Sequence, residues 1–273
     1  IWHIFALVLY FAVGLSHSWV ERLMVFDSYG TMTGDPGYIR GAVSRQDPAF
    51  NDYQMQHLLP PLARSAISPS DKMCKHTQTM GNYTEELTEL QAWPGARLAL
   101  QYQENGHVTL PELSPQKRNS GTVYIYGTVS PSHDDTLMSI HKVWNKAGTG
   151  GDKRGRLLAV RPFDDGQCYQ INGGPISQYR QKRFHKIAAD PQGADLWCQN
   201  DIRLPSDVHQ RYTLYWVWDW PTEPSVSAPE GKPELYTSCM DVNIGPKQQV
   251  DALDFSEGQV LNRPGIRAQL EIA

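Results

Sequence analysis

The chain has 273 residues, with 25 Lys or Arg against 29 Asp or Glu, so its formal net charge is −4. Its sequence pI is about 6.1. This balance argues against nucleic acid or an anionic membrane as a partner, because both attract proteins that carry excess positive charge. A neutral or weakly charged partner is expected instead.

The N-terminal segment, residues 1–16, carries no charged side chain and contains an apolar run from Ile4 to Val13. Such a run is typical of the core of a secretory signal peptide. It is too short for a membrane helix, which needs ~20 apolar residues, and no comparable run follows. We therefore expect residues 1–16 to be a partial signal peptide, and the processed chain to be secreted, extracellular and free of the membrane.

Two cleavage sites satisfy the requirement of signal peptidase for small residues at positions −1 and −3. Gly14 and Ser16 permit a cut before His17, whereas Ser16 and Ser18 permit a cut before Trp19. Only the first cut makes His17 the first residue of the processed protein. The rule leaves both cuts open.

The cysteines are even in number, at Cys74, Cys168, Cys198 and Cys239. In an exported chain without a CxxC spacing, this count predicts two disulfides rather than a metal site. The sequence NYT at 82–84 makes Asn82 an acceptor for N-glycosylation in a eukaryotic secretory route.

Strand patterns occur in four segments, at 96–103, 121–129, 211–220 and 234–244, which are rich in β-branched and aromatic residues. Alternation with period 2 places large side chains on one face of the third segment. We interpret that face as buried core rather than as a sugar-stacking platform, because strict alternation of large aromatic rings is typical of a buried strand. The side chains on it are Tyr212, Leu214, Trp216, Trp218 and Trp220.

Long segments rich in Gly, Pro, Asn and Asp separate these strands, at 27–60, 131–155 and 163–210. They exceed the usual length of connections in a compact β-domain, so short helices are expected within them. The pattern predicts an all-β fold, an immunoglobulin-like or fibronectin-like β-sandwich over residues 17–247, followed by a C-terminal extension over 248–273. An elaborated jelly roll fits the same pattern.

His17 offers unusual metal chemistry if the chain is cut before it. Its free α-amine and its imidazole could then chelate one metal ion together, and a second histidine would complete a site of three nitrogens. Such a site favours Cu(II), through its geometry and the high position of copper in the affinity series. An α-amine with a pKa of ~7.7–8.0 loses its proton readily near neutral pH.

His107 is the candidate for the second histidine. It follows Gly106 after the predicted strand 96–103, where a loop can bring its side chain to an edge of the sandwich. Three other histidines, His76, His133 and His141, lie in polar segments without a flanking strand. Loop aromatics that could surround such a site are Tyr38, Tyr53, Tyr83 and Trp93.

These residues resemble the copper-dependent lytic polysaccharide monooxygenases, particularly the fungal cellulose-active type. The resemblance comprises an N-terminal His17, the sequence GHV containing His107 ahead of the strand GTVYIY, and the sequence ELYTSCMDV at 234–242. In that family the late strand reads Gln-x-Tyr-x-x-Cys. Here Glu234 replaces the Gln.

The resemblance implies a site in which His17 and His107 hold one copper ion and Tyr236 occupies its axial position. Glu234 would lie beside the metal, where it could donate or accept a hydrogen bond or move a proton. Tyr236 and Glu234 are two residues apart on one strand and so share a face. The resemblance also implies the disulfides Cys74–Cys239 and Cys168–Cys198.

The function implied by the resemblance is oxidative cleavage of a polysaccharide by a secreted monomer that takes electrons from an external donor. Two departures weigh against it. The stretch 224–233 lacks the histidine that the family places about nine residues before its late tyrosine motif. The segment 17–45 resembles instead an uncharacterised fungal secreted family distantly related to these enzymes. Two alternatives therefore stay open: a non-catalytic copper-handling protein on the same scaffold, and a metal-free structural or adhesive β-domain cut before Trp19.

Overall fold

Two β-sheets packed face to face form the body of the molecule in a computed structural model. The described residues are 17–188, 191–226, 229–247 and 263–270. The predicted signal peptide, 1–16, lies outside them, as does most of the predicted extension. The described part of the chain holds no helix with the length and hydrophobicity that a bilayer crossing requires.

The strands and helices are short and are joined by long loops. The strands are β1 (Val20–Phe26), β2 (Met32–Gly37), β3 (Leu58–Leu59), β4 (Leu90–Ala92), β5 (Arg97–Tyr102), β6 (Thr122–Thr128), β7 (Gly155–Pro162), β8 (Cys198–Arg203), β9 (Tyr212–Asp219) and β10 (Leu235–Ile244). The helices are α1 (Asp52–Met55), α2 (Leu137–Ile140), α3 (Pro175–Arg183) and α4 (Arg263–Leu270).

Sheet A has the strand order β2-β1-β5-β8, and sheet B has the order β3-β10-β9-β6-β7. Neighbours in both orders are antiparallel, and β4 joins β10 in parallel. The predicted all-β sandwich is confirmed. The four predicted strands appear as β5, β6, β9 and β10, each within one residue of its predicted ends, and α1, α2 and α3 lie inside the three long segments that were expected to contain helices.

The core between the sheets contains the aromatic face of β9 together with Trp220 directly after it, as predicted. All five of its large side chains are at most 2% exposed and belong to one hydrophobic cluster with residues of both sheets. Trp218 stacks on Phe163, with ring centroids 4.0 Å apart. These packed aromatic rings make a rigid wall at the end of β9.

The outer face of sheet B is also covered, by the loop that contains α2. Tyr215 and Val217 of β9 pack there in a second cluster with Trp144 and with residues of α2. Gly155 permits this packing, because a Cβ atom at its position would lie 2.0 Å from the Trp144 ring. Strand β9 is therefore buried on both faces.

Two disulfides connect loops to strands, in agreement with the predicted number. Cys74 is bonded to Cys239 of β10, and Cys168 is bonded to Cys198 of β8. The two bonded cysteines are 165 positions apart in the sequence for the first disulfide and 30 positions apart for the second. Both sulfur pairs hold a loop against the sandwich.

Helix α4, from the region predicted as a C-terminal extension, packs on the outer face of sheet A. Ile266 contributes to a cluster with Met24 and Phe26 of β1. Gln269 accepts a hydrogen bond from the Asp201 backbone at 2.8 Å and donates to the Asp201 carboxylate at 3.1 Å. The helix therefore covers a buried carboxylate.

Asp201 makes the stability of the fold pH dependent. Burial raises its pKa to about 8, whereas an unfolded Asp titrates near ~3.9. The folded chain therefore binds more protons than the unfolded chain between these two values, and stability falls as pH rises from about 4 to about 8. We expect Asp201→Asn to lose less stability than the parent protein over this range in thermal unfolding. The exposed Glu112→Gln variant serves as the control, and equal pH profiles for all three proteins would contradict the prediction.

Candidate metal centre

His17 is half-buried three residues before β1, and both nitrogens of its ring have partners. The Asn105 side-chain amide lies 3.1 Å from Nδ1 and donates to the His17 carbonyl at 2.8 Å. An Asp52 carboxylate oxygen lies 2.9 Å from Nε2. Because an amide nitrogen can only donate, Nδ1 accepts, and the ring hydrogen is on Nε2. The nitrogen nearest the α-amine therefore presents a lone pair.

The chain around His17 is fixed to the rest of the fold. The Ser18 hydroxyl donates to the Gln103 carbonyl at 2.9 Å, and the Val20 amide donates to the Ser238 hydroxyl of β10 at 3.2 Å. Trp19 is 1% exposed. Residues 17–20 therefore connect the loop after β5 with the strand that carries Tyr236.

The loop that carries His107 is built around the buried carboxylate of Glu104. That carboxylate accepts hydrogen bonds from the backbone amides of Val108 at 2.8 Å, Thr109 at 3.2 Å and Gln170 at 2.9 Å. It also accepts one from the Thr109 hydroxyl. Between them the chain turns through left-handed conformations at Asn105 and Gly106, with φ of 48° and 80°. The hydrogen bonds to Glu104 and the tight turn at Asn105 and Gly106 therefore determine the position of His107.

The His107 ring lies against Trp218 and Trp220, with centroids 5.5 and 4.8 Å apart. Its Nε2 atom is buried and has no hydrogen-bond partner among the described residues. Burial lowers the pKa of His107 to about 3, and the Lys117 ammonium acts in the same direction. The imidazole is therefore neutral, and Asn105 in the same loop contacts His17.

This unpartnered nitrogen is the observation that fits a metal. Leaving a buried polar atom without a partner costs about 1–3 kcal/mol, and such atoms in folded proteins call for an explanation. A neutral imidazole nitrogen with a free lone pair is a common metal ligand. The donor set of His17 and His107 is therefore chemically suited to Cu(II).

Tyr236 and Glu234 lie together at the start of β10. The Tyr236 hydroxyl donates to a Glu234 carboxylate oxygen at 2.8 Å. The other Glu234 oxygen accepts from the Lys117 ammonium, which also lies 4.1 Å from the centroid of the Trp220 ring. Tyr236 stacks on Trp218 at 5.0 Å. His107 and Tyr236 therefore contact the same indole.

Other polar groups singled out in the sequence lie apart from this cluster. His141 contacts the Tyr126 hydroxyl, and His76 and His133 line a separate cavity beside Cys74. Asn82 is exposed, and its side chain donates to the Thr77 carbonyl at 2.7 Å.

One group of three or more potential metal ligands is gathered in the described residues, formed by Asp165, Cys168 and Cys198. Its two sulfur atoms are joined in a disulfide, so they offer no thiolate to a metal.

Four residues that support the site were missed by sequence reasoning: Asp52, Glu104, Asn105 and Lys117. Asp52 lies at the start of α1, in a long polar segment without periodicity. The dipeptide Asn105-Gly106 is itself a turn signal that could have indicated the conformation before His107. Neither signal identifies the partner of each side chain, because the partners are distant in the chain.

Comparisons with solved structures give distant similarities. The chain is 14% identical to a cellulose-active polysaccharide monooxygenase from M. thermophila, covering 87% of this chain and 82% of that one at a TM-score of 0.37. It is 12% identical to Cel61B, a glycoside hydrolase family 61 member from Hypocrea jecorina, covering 89% and 87% at a TM-score of 0.36. It is 13% identical to a cellulose-active LPMO in complex with copper, covering 60% of this chain at a TM-score of 0.31, and it spans 57% of the length of that protein.

No curated protein matches the chain. One family model does, and it extends over nearly the whole length, from residue 14 to residue 267. The matched range includes the candidate metal centre, both sheets and most of α4. The chain belongs to the family described as Domain of unknown function (DUF7492).

Proposed function

We propose that this chain is a secreted copper protein similar to the lytic polysaccharide monooxygenases, and that it cleaves a polysaccharide oxidatively. Its processed N-terminus would form a histidine brace, in which the α-amine and imidazole of His17 and the imidazole of His107 bind one metal ion. The buried, unpartnered Nε2 atom of His107 carries the proposal, in a loop whose Asn105 contacts the His17 ring. The motifs around His107 and Tyr236 support it from the sequence.

In this proposal the α-amine and Nδ1 of His17 and Nε2 of His107 would hold the ion, and the Tyr236 hydroxyl would lie beside it. Copper bound there would supply the redox chemistry that oxidises a C–H bond beside a glycosidic linkage, with electrons from an external donor. Asn105 must give up its contact with Nδ1 when the metal binds.

The surrounding residues orient the ligands. Asp52 accepts the Nε2 hydrogen of His17, an arrangement that holds a ligating ring in one orientation and raises its basicity. Trp218 and Trp220 hold the ring of His107. Glu234 accepts a hydrogen bond from the Tyr236 hydroxyl, which directs the oxygen lone pairs of the phenol away from the carboxylate.

Cleavage before His17 is supported by the contacts of the first two residues. Cleavage before Trp19 would remove the partners of Asp52, Asn105 and the Gln103 carbonyl. A chain that starts at His17 keeps all three interactions and exposes the α-amine beside them.

Asp52→Ala is expected to lower the affinity for Cu(II) by about 10–100-fold, because it removes the carboxylate that orients the His17 ring. Competition titration of the secreted protein with a copper chelator measures this. Asp47→Ala, in the same loop, is the matched control. Equal dissociation constants for the two variants would contradict the role given to Asp52.

The function is tested in two stages. N-terminal sequencing of the secreted protein is expected to begin at His17, and a start at Trp19 would overturn the brace and favour the metal-free domain. The copper-loaded protein is then incubated with a reductant and with cellulose, chitin or xylan, and mass spectrometry detects oxidised oligosaccharides.

A copper-handling protein without catalysis is the second candidate. One observation favours it: no histidine occurs in 224–233, where the cellulose-active family places a group that orients oxygen. Tight binding of one copper ion with no oxidised product from the three polysaccharides would establish this alternative.

A further inference from the structure

Trp93, one of the loop aromatics noted in the sequence, lies far from the candidate metal centre. It follows β4, whose last residue, Ala92, pairs with Ile244 at the end of β10. Tyr236 lies near the start of β10, eight residues earlier. At about 3.3 Å per residue, roughly 26 Å of strand separates the two ends. Trp93 therefore belongs to the opposite end of the sandwich.

A cavity of about 180 Å³ opens beside Trp93, between β2, β4 and the residues after β10. Its walls combine an aromatic ring with hydroxyl, carboxylate and amide side chains. A few polar groups on an aromatic wall are typical of small-molecule sites. The side chains that matter here are those of Thr33, Asp35, Thr88, Glu89, Gln91 and Trp93.

The wall formed by Trp93 is held in place by its backbone. The Trp93 carbonyl accepts a hydrogen bond from the Ala96 amide at 3.0 Å, and the Gly95 amide donates to the Pro205 carbonyl at 3.3 Å. Gly95 has a φ of 76°, which permits the turn. The indole is half-buried on a fixed turn and needs little ordering when a ligand packs on it.

Glu89 also lines this cavity. One of its carboxylate oxygens accepts from Arg211 at 2.8 Å. The other oxygen, Oε2, is buried and has no hydrogen-bond partner among the described residues. A buried carboxylate oxygen in this state is stabilised by a ligand that brings a hydrogen-bond donor.

We propose that this cavity binds one sugar ring of a polysaccharide, with the ring packed on Trp93 and a ring hydroxyl donating to Glu89 Oε2. Sugar rings combine apolar faces with hydroxyl donors, and the cavity presents a partner for each. A bound cation is disfavoured, because the Lys247 ammonium already lies 5.9 Å from the centroid of the Trp93 ring. The choice of a polysaccharide rests on the proposed function, but binding here does not require copper.

Isothermal titration of the full secreted protein tests the proposal, with cellohexaose, chitohexaose and xylohexaose as probes and with EDTA present. At least one hexasaccharide is expected to bind. Trp93→Ala is expected to lower its affinity about tenfold or more, and Trp93→Phe, which keeps an aromatic face, by much less. Glu89→Gln keeps an oxygen that can accept from Arg211 but replaces the other oxygen with an amide nitrogen. It is expected to weaken binding by less than Trp93→Ala does. Thermal unfolding checks that each variant is folded.

Control variants locate the bound sugar. Tyr179→Ala removes an exposed ring elsewhere and is expected to bind like the parent protein. Loss of binding in Tyr53→Ala, beside Asp52, with Trp93→Ala unaffected would place the sugar at the metal centre and overturn the proposal. Absence of binding by all three probes would also overturn it. Because EDTA is present, these results are independent of any failure to bind copper.

Discussion

Replacing His107 with Phe is expected to weaken Cu(II) binding by orders of magnitude while the fold stays intact. Phe keeps a ring against Trp218 and Trp220 but removes the Nε2 atom, which is buried without a partner. A site of three nitrogens that loses one retains only the chelate formed by the N-terminal residue. The dissociation constant is measured by competition with a chelator, and copper electron paramagnetic resonance is expected to report the loss of one nitrogen.

His209→Phe is the matched control, since His209 is exposed and lies outside the cluster. It is expected to bind copper like the parent protein, with the same midpoint of thermal unfolding. An unchanged dissociation constant in His107→Phe, in protein whose N-terminus is His17, would refute His107 as a ligand. The same result in protein that starts at Trp19 would refute the whole brace.

Removing the Cys74–Cys239 disulfide is expected to have the largest effect on stability. Its loss in a Cys74→Ala/Cys239→Ala variant should lower the free energy of unfolding by about 2–5 kcal/mol, through the added entropy of the unfolded chain. The sequence separation is 165 for this disulfide and 30 for Cys168–Cys198. By the chain-entropy relation, the first should contribute about 1.5 kcal/mol more than the second.

Denaturant unfolding of the parent protein and of the two double variants measures this difference. The Cys168→Ala/Cys198→Ala variant is the internal control, because it removes a bond of the same chemistry from a shorter loop. A greater loss of stability in that variant would contradict the loop-length argument. Because Cys239 is in β10, three residues after Tyr236, the first variant is also expected to bind copper less tightly.

The strands that the sequence predicted are rich in β-branched and aromatic residues, as in β6 and β9. β1 was missed because the charged residues Glu21 and Arg22 interrupt its apolar run, although Arg22 is buried and donates to Gln101. β8 was missed because Gln199 and Asp201 are polar yet buried, the latter beneath α4. Hydrophobic pattern cannot indicate burial that another element imposes.

The residues of the candidate site also fall into two groups, those that a sequence motif identifies and those that only a tertiary contact identifies. His17, His107, Tyr236 and Glu234 could be named from the sequence because each belongs to a local motif. Asp52 and Lys117 could not be named, because each acts through a contact with a residue that is distant in the chain. Lys117 is 117 positions from Glu234, and Asn105 is 88 from His17. No short-range pattern relates residues so far apart.

The sequence by itself determined the fold class, the presence of two disulfides and the residues proposed to hold a metal, because period, count and motif are local properties of the chain. Only the tertiary structure decided which atoms lack partners and where loop aromatics lie. The unpartnered nitrogen of His107, the carboxylate that holds His17 and the separation of Trp93 from both result from packing between distant segments. Packing selects contacts by shape and hydrogen-bond satisfaction, and neither can be read from residue order.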